Sequence, residues 1–409
     1  MAALLALRLA GAGFDGDPLA VVRDAAPGDR LWDVAGRRGP VIGVTLLVWL
    51  AAFALAFAAD RERWGRAAAR LLALSLVYLP LVLLATAALE PSVAAERLLA
   101  MIVAPSLAGL TLMALGGYRA LAVACGATVL AHSIDLIAGS PLIQLSLVGP
   151  NPAAGHRFYG IGNELEAILV VLVLVGTGAA LATSTPREGG KGRRRGAAER
   201  DAVAFLVVAA ILSFVFAYGR FGADVGAAIV LPLGAAVAAA LRLDRPRLAL
   251  LALAVPLPAL AILAAVDLLS GADAHLTKTV LQADSGGDVA SVLGRRLGEA
   301  GESFGRPLLL VFLPFVIAGA TVAWLGRDRI GSWLRGWPAV RAAMGGALAA
   351  TVVGTLANDS GALLLEVGGA YLAAFCAFAW AESPPDDEAA ADRLHPGRAG
   401  DHAVDHAVG

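Results

Sequence analysis

The chain has 409 residues, of which 58% are hydrophobic and 16% are charged, and its mean hydropathy is +0.74. A water-soluble protein cannot bury so much apolar side-chain surface, so this composition excludes a soluble globular protein and predicts an integral membrane protein. The formal net charge of −1 says nothing about partners, because cationic and anionic residues are segregated along the chain.

Stretches of roughly 20 mostly apolar residues can cross a bilayer as helices, and about eleven such stretches follow one another here. They predict an all-α fold, a polytopic transmembrane helical bundle that crosses the cell membrane many times. The spans from Ala223 and Ala342 are rich in Gly and Ala, which favours positions inside the bundle over contact with lipid. The predicted spans start near Val41, Ala69, Leu98, Tyr118, Leu165, Ala202, Ala223, Leu248, Pro307, Ala342 and Gly361.

Cationic residues are concentrated in a few loops that all fall on one side of the predicted bundle. Loops rich in Lys and Arg stay in the cytoplasm, so this side is predicted to be cytoplasmic. The N-terminus is then outside and the C-terminus is inside. The cationic loops are Arg61 to Arg70, Arg187 to Arg200, Arg242 to Arg247 and Arg327 to Arg341.

The pattern divides the chain into three parts. Residues 1–40 form an extracytoplasmic N-terminal segment, and residues 41–382 form the transmembrane domain. Residues 383–409 have too few apolar side chains to fold and are predicted to be a disordered cytoplasmic tail. Within the transmembrane domain, the polar and basic segment 186–201 is typical of a mobile cytoplasmic linker, and 271–305 is the longest outer loop.

The most polar interruption of the apolar sequence is the loop Gly149 to Glu164, GPNPAAGHRFYGIGNE. Irregular backbone beside hydrocarbon is tolerated where it is buried in protein or lines a wet cavity, so the loop predicts a site. Asn163 and Glu164 open the next span, where capping and the helix dipole are an alternative explanation. A cap requires neither an arginine nor a histidine. The candidate binding residues are His156, Arg157, Tyr159, Asn163 and Glu164.

The turn YGRFGAD supplies a second group of candidates, Tyr218, Arg220 and Asp224. Arg220 and Asp224 are four residues apart and could simply pair with each other. Ionisable groups so close to hydrocarbon are costly, however, and usually mark a pathway or a binding site.

Five further residues, in three groups, are weaker candidates. Asn358 and Asp359 belong to the turn NDS, where ordinary turn chemistry explains them equally well. His275 is the only histidine of the outer loop and ranks below the first two groups. His132 and Asp135 share a helix face, either as interior polar groups or as ligands.

All these polar motifs fall on the predicted outer side, so one extracytoplasmic pocket is expected. Arginine suits bidentate contact with phosphate, and carboxylates or histidine can carry protons. The leading hypothesis is binding or translocation of an anionic, lipid-linked cell-envelope precursor. An outer-face enzyme, either a glycan polymerase or ligase or a phosphotransferase with Glu164 or Asp224 as base, is one alternative. An ion-coupled transporter of small solutes is the other.

Several kinds of signature are missing from the sequence. It contains no metal-binding motif, no nucleotide-binding loop and no nucleophile elbow, so no cofactor or metal is predicted. This argues against an ATP-driven pump. Membrane lipid is the expected partner, and no nucleic acid is expected to bind.

Three strings, HRFYGIGNE, YGRFGADVG and ANDSG, resemble an uncharacterised family of polytopic envelope proteins from Gram-positive bacteria, especially actinobacteria. The resemblance covers residues 37–382. Residues Ala3 to Val22 are similar to the closing segment of alkaline-phosphatase or sulfatase-type domains, which often precede the membrane region in that family. The resemblance implies an outer N-terminus, a chain that starts late, and a phosphatase-like ectodomain or separate partner. It implies no phosphatase activity, because the metal ligands and nucleophile are missing. A plain outer N-terminal segment is the alternative.

Overall fold

The computed structural model describes residues 33–34, 36–150, 160–184, 191–269, 298, 301–305, 307–358 and 360–384. Of residues 191–194, 263–269, 307–312 and 315 only the backbone is described. Within these ranges the chain forms helices and no strands, which confirms the predicted all-α class.

Thirteen helices are described here in chain order. A π-helical turn at Gly39–Gly43 leads into the first, and a second such turn at Arg61–Gly65 leads into the next. The helices are α1 (Val44–Ala59), α2 (Arg66–Leu89), α3 (Val93–Leu115), α4 (Gly117–Ile137), α5 (Asn163–Ser184), α6 (Lys191–Ala217), α7 (Val225–Arg242), α8 (Pro246–Leu251), α9 (Pro256–Leu269), α10 (Pro307–Leu325), α11 (Arg327–Trp333), α12 (Pro338–Ala357) and α13 (Gly361–Glu382).

Nine helices of the described ranges are long and apolar enough to cross a membrane. The chain is therefore an integral, multi-pass membrane protein. The other two predicted spans, from Leu248 and Pro307, correspond to shorter apolar stretches. The first is Pro246–Ile262, which covers α8 and the start of α9, and the second is Val316–Leu325, the C-terminal half of α10.

Helix α5 is the centre of the bundle. It packs against α4, α6, α7, α12 and α13, and 78% of its most apolar stretch is buried inside the protein. Its sequence is a nearly continuous run of Val, Leu and Ile after the first turn, so it presents apolar side chains to helices on every side. A polar residue of α5 that faces these neighbouring helices is thereby placed in the interior.

Small residues allow α7 and α12 to approach closely at mid-helix. A Cβ atom added to Gly234 would lie 2.9 Å from the carbonyl oxygen of Gly346, and one added to Gly346 would lie 2.8 Å from Cβ of Ala238. Close backbone approach through Gly and Ala is a common basis of helix association in membranes. The Gly- and Ala-rich spans predicted from Ala223 and Ala342 are indeed largely buried, at 61% and 56%.

The substitution Gly346→Ala is expected to destabilise the protein by about 1–3 kcal/mol, because the added methyl group overlaps backbone atoms that cannot move independently. The midpoint of thermal unfolding in detergent should fall. Gly369→Ala in α13 is the matched control, since a Cβ atom there has no neighbour within 4 Å. An unchanged midpoint for Gly346→Ala would show that the two helices can separate at little cost.

The polar motifs of the described residues gather at one end of the bundle, called here the outer end after the charge-based prediction. The inner end has its own ionic contacts. Arg66 donates hydrogen bonds to the carbonyl oxygens of Trp380 (2.8 Å) and Ser383 (2.6 Å), and Arg70 pairs with Glu382 at 2.7 Å. These cations lie where a helix C-terminus favours positive charge. They join α2 to the last turn of α13.

The predicted linker 186–201 requires a correction. From Lys191 onward the chain is helical and belongs to α6, and Asp201 is 1% exposed and pairs with Arg242 at 2.8 Å. The charged composition suggested a solvated linker, but Arg195 and Glu199 pair along one helix face (3.1 Å) and extend the span beyond the apolar stretch. Residues 185–190 lie outside the described residues.

Candidate functional site at the outer end

Two of the sequence motifs meet at the outer end. The amide of Ile161 donates to the carbonyl oxygen of Gly222 (2.9 Å), and the amide of Gly160 donates to Ser140 Oγ (3.2 Å). Gly160 has a φ of 80°, and a Cβ atom on it would lie 2.8 Å from the carbonyl carbon of Gly222. Only glycine satisfies both conditions at position 160. Gly160 and Ile161 of the first motif are thus held against the YGRFGAD turn.

The YGRFGAD turn reverses the chain tightly between α6 and α7. The amides of Gly222 and Asp224 donate back to the carbonyl oxygens of Val215 (3.1 Å) and Phe216 (3.0 Å). Asp224 caps α7 by accepting a hydrogen bond from the amide of Gly226 at 3.0 Å, and it is only 6% exposed. The amides and the dipole of a helix start favour such an acceptor, so capping accounts for the position of one of the two carboxylate oxygens of Asp224.

Glu166 is the centre of the site. It lies in the first turn of α5 and is 1% exposed, and its Oε2 accepts a hydrogen bond from Nδ2 of Asn358 at 2.8 Å. A Cβ atom on Gly226 would lie 2.7 Å from Glu166 Oε1, so the start of α7 lies directly against the same carboxylate. Glu166, Asp224, Gly226 and Asn358 are called the Glu166 site below.

Asn358 reaches Glu166 from the turn between α12 and α13. Its Oδ1 accepts from the amide of Ser360 at 3.3 Å, which fixes the side-chain amide with its NH₂ group towards the carboxylate. Ser303, from the segment before α10, accepts at Oγ from the amide of Ala362 at 3.0 Å. The outer ends of α5, α7, α12 and α13 therefore converge on one carboxylate.

A small cavity lies beneath Glu166, towards the middle of the bundle. Its volume is about 10 Å³, which is room for about one water molecule. Apart from Glu166 and Thr351 its walls are apolar. The lining residues are Glu166, Ala167, Val170, Val171, Val230, Ala350, Thr351 and Leu364.

Glu164 belongs to a separate rim. It is two residues from Glu166 and so points to another side of α5. Arg38 lies 3.7 Å from its Oε1 and donates to the carbonyl oxygens of Gly149 and Pro150, both at 2.8 Å. Because Arg38 joins α5 to the loop at Gly149, its guanidinium stabilises the outer surface around the buried site.

The remaining candidates of the YGRFGAD turn differ from one another. Tyr218 is buried and its ring stacks on Phe214 (centroids 5.1 Å apart) and meets Phe221 edge-on at the same distance. Tyr218 is thus part of an aromatic cluster. Arg220, in contrast, is exposed.

The structure separates the predicted site residues into groups. Asn358 contacts Glu166, and Asp224 caps the helix start that lies against the same carboxylate. Glu164 lies on the rim, and Asn163 is the first, half-buried residue of α5. Five candidates lie outside the described residues: His156, Arg157, Tyr159, His275 and Asp359. Sequence reasoning missed Glu166 and Arg38. A carboxylate four residues into an apolar span was the signal that could have found Glu166.

His132 and Asp135 have structural roles. The Asp135 carboxylate accepts from the amides of Leu142 (3.1 Å) and Ile143 (2.9 Å), so it fixes the loop after α4. His132 is fully buried, with Nδ1 2.8 Å from the carbonyl oxygen of Thr128. Since a carbonyl oxygen only accepts, Nδ1 carries the proton. These contacts favour the interpretation of both residues as interior polar groups.

No family model, curated protein or solved structure matches the chain. Among the described residues, no group of three or more His, Cys, Asp or Glu side chains is placed to hold a metal ion. The functional argument therefore depends on the geometry of the Glu166 site.

Proposed function

We propose that this membrane protein is an ion-coupled transporter and that the Glu166 site binds the coupling cation, H⁺ or Na⁺. The observation that carries the proposal is the burial of Glu166, 1% exposed in the first turn of the central helix and hydrogen-bonded to Asn358. Ionisable side chains inside membrane helices are costly and by default mark ion or proton pathways.

The composition of the site supports a cation. Asp224, 6% exposed, caps the helix start that lies against Glu166, so two buried carboxylates belong to one site. Carboxylate and amide oxygens are suitable ligands for hard cations, and a carboxylate is also the simplest proton carrier. The cavity beneath Glu166 has room for an ion or a single water molecule and is too small for a lipid headgroup.

The position of α7 supports coupling between the two ends of the bundle. This helix is capped by Asp224 in the Glu166 site. It ends at Arg242, whose guanidinium pairs with the buried Asp201 at 2.8 Å. One helix therefore bears an ionisable group of the outer site and half of a buried inner ion pair. Such an arrangement is suited to alternating access, in which one end opens while the other is closed.

An anionic, lipid-linked envelope precursor is our proposed cargo. Arginine is the residue best suited to its phosphate groups, and Arg157 and Arg220 are the predicted contacts. Arg220 is exposed at the outer end, beside the turn that positions Asp224. The family resemblance agrees with a role in the cell envelope. The outer-face enzyme has no specific observation in its favour.

The proposal is tested by reconstituting the purified protein in liposomes and imposing an inward H⁺ gradient or, separately, an inward Na⁺ gradient. A pH-sensitive dye inside the vesicles reports H⁺ entry, and radioactive sodium reports Na⁺ entry. Entry of one of the two ions above that of protein-free vesicles is expected. Entry of neither ion, with a properly folded protein and with undecaprenyl phosphate included in the bilayer as a probe cargo, would refute ion coupling.

A further inference from the structure

A second carboxylate lies inside the membrane-spanning part of α13, away from the Glu166 site. Glu366 is the only Asp, Glu, Lys or Arg between Gly361 and Glu382. It is five residues beyond Gly361, so its Cα lies about 7.5 Å along the helix from its outer end. An acidic residue at that depth is beyond the turns that cap a helix start.

Glu366 lies on the outward face of α13. Positions 370 and 373, which share its face at helical spacing, are both alanines and both exposed, whereas Leu364 on the opposite face lines the Glu166 cavity. Glu366 itself is half-buried. In a bilayer this stripe of α13 faces the lipid chains, so the side chain lies between hydrocarbon and the bundle.

No described residue neutralises this carboxylate by a hydrogen bond or an ion pair. The neighbouring helix α10 has no charged residue in its sequence, and the charged residues of the other elements that pack on α13 lie towards the ends of those elements. These are Arg66 and Arg70 of α2, Glu164 and Glu166 of α5, Arg327, Asp328 and Arg329 of α11, and Arg341 of α12. Glu302, in the segment that contacts Ala362 through Ser303, is exposed.

The energetics favour the neutral acid. Placing a charged side chain in the hydrocarbon core costs at least about 2.5–3.5 kcal/mol, and considerably more by some estimates. A neutral carboxylic acid avoids most of this cost, because the Born penalty applies only to the ionised form. Binding a proton is therefore the least costly way for a glutamate without a partner among the described residues to occupy this face.

We propose that Glu366 is a proton-binding site, facing lipid and distinct from the Glu166 site. The ligand is H⁺, taken up by a carboxylate oxygen to give the neutral acid and released again to water near the outer surface. The site does not depend on the transport proposal, since α13 presents Glu366 and the cavity wall on opposite faces.

The test uses dicyclohexylcarbodiimide, an apolar reagent that partitions into bilayers and adds to protonated carboxyl groups. The full-length protein is reconstituted in liposomes and treated at neutral pH, where a glutamic acid in water, with a pKa of about 4.3, is ionised. Peptide mass spectrometry then locates the adduct. We expect labelling of Glu366, several-fold slower labelling when the pH is raised, and no labelling of Glu164 or Glu382.

Variants make the outcome decisive. Glu366→Asp should keep the adduct and Glu366→Gln should lose it, while Glu166→Gln should leave labelling of Glu366 unchanged. Absence of the adduct at Glu366 at neutral pH, while it forms in acid, would overturn the proposal and point to a cation from a lipid or a second copy of the chain. Equal labelling of Glu382, which pairs with Arg70 at the inner end, would also overturn it. Ion entry is not part of the readout, so this proposal and the transport proposal fail separately.

Discussion

Replacing Glu166 by Gln is expected to reduce cation entry into proteoliposomes by at least about tenfold, which corresponds to about 1.4 kcal/mol in the rate-limiting step. Glutamine has nearly the same volume as glutamate, and its amide oxygen can still accept the 2.8 Å hydrogen bond from Asn358. The substitution therefore removes the titratable charge and leaves the packing of α5 in place. Entry is measured with the internal dye or with radioactive sodium, whichever ion the wild-type protein admits.

The matched control for this experiment is Glu164→Gln. The two residues are two positions apart on the same helix, but Glu164 lies on the rim with a 32% exposed side chain, 3.7 Å from Arg38. This variant should retain most of the flux, because Glu164 points away from the buried site and Arg38 keeps its hydrogen bonds to the carbonyl oxygens of Gly149 and Pro150. Thermal unfolding of both variants shows whether the fold is retained. Normal flux in Glu166→Gln would remove the carboxylate from the transport mechanism.

Replacing Arg66 by Ala is expected to destabilise the protein by about 3–5 kcal/mol, because two hydrogen bonds from a charged donor are lost and each contributes about 1.5–3 kcal/mol. Arg66 is only 7% exposed, and it donates to Trp380 and Ser383 while its guanidinium lies 5.1 Å from the ring of Trp380. Its loss leaves the carbonyl oxygens at the end of α13 without their donor. The midpoint of thermal unfolding in detergent is the measurement.

Arg63→Ala is the control for that loss. Arg63 lies in the same π-helical turn region, is exposed, and contacts the ring of the exposed Trp64 at 5.0 Å. Surface substitutions of this kind change stability by about 0.5 kcal/mol or less. Similar destabilisation by the two substitutions would mean that net positive charge at the inner end, and not the contacts of Arg66, stabilises α13.

The spans were predictable because the signal for them is local. A bilayer requires a nearly continuous apolar stretch, so hydropathy alone locates the helices from Val41 to Gly361. That the polar motifs lie at the same end of the bundle was also predictable, because the alternation of spans and cationic loops assigns each motif to one side of the membrane. Asn358 contacts Glu166, and the helix start capped by Asp224 lies against the same carboxylate, although Asp224 and Asn358 are 134 residues apart in the chain.

What the sequence did not reveal depends on packing. In the string NELEA, the position of Glu166 inside the apolar span is a hint, but which of the two glutamates faces the interior is decided by the packing of α7 and α12 against α5. Glu166 was therefore missed and Glu164 was chosen. Arg38 was missed because its partners are backbone carbonyls more than 100 residues away. The burial of Asp201 was missed because its partner, Arg242, is 41 residues away in the chain.

The contact between Gly234 and Gly346 has a mechanical consequence. Helix α7 is a rod of 18 residues, about 27 Å long, and Gly234 is close to its midpoint. On either side of this point the side chains of Val230 and Leu241 pack on Gly354 and Gly345 of α12, so the angle between the two helices is fixed as well as their distance. Pro232, two residues from Gly234, removes one hydrogen bond of α7 but leaves these contacts in place. A displacement of Asp224 at the outer end of α7 is therefore expected to carry α12 with it.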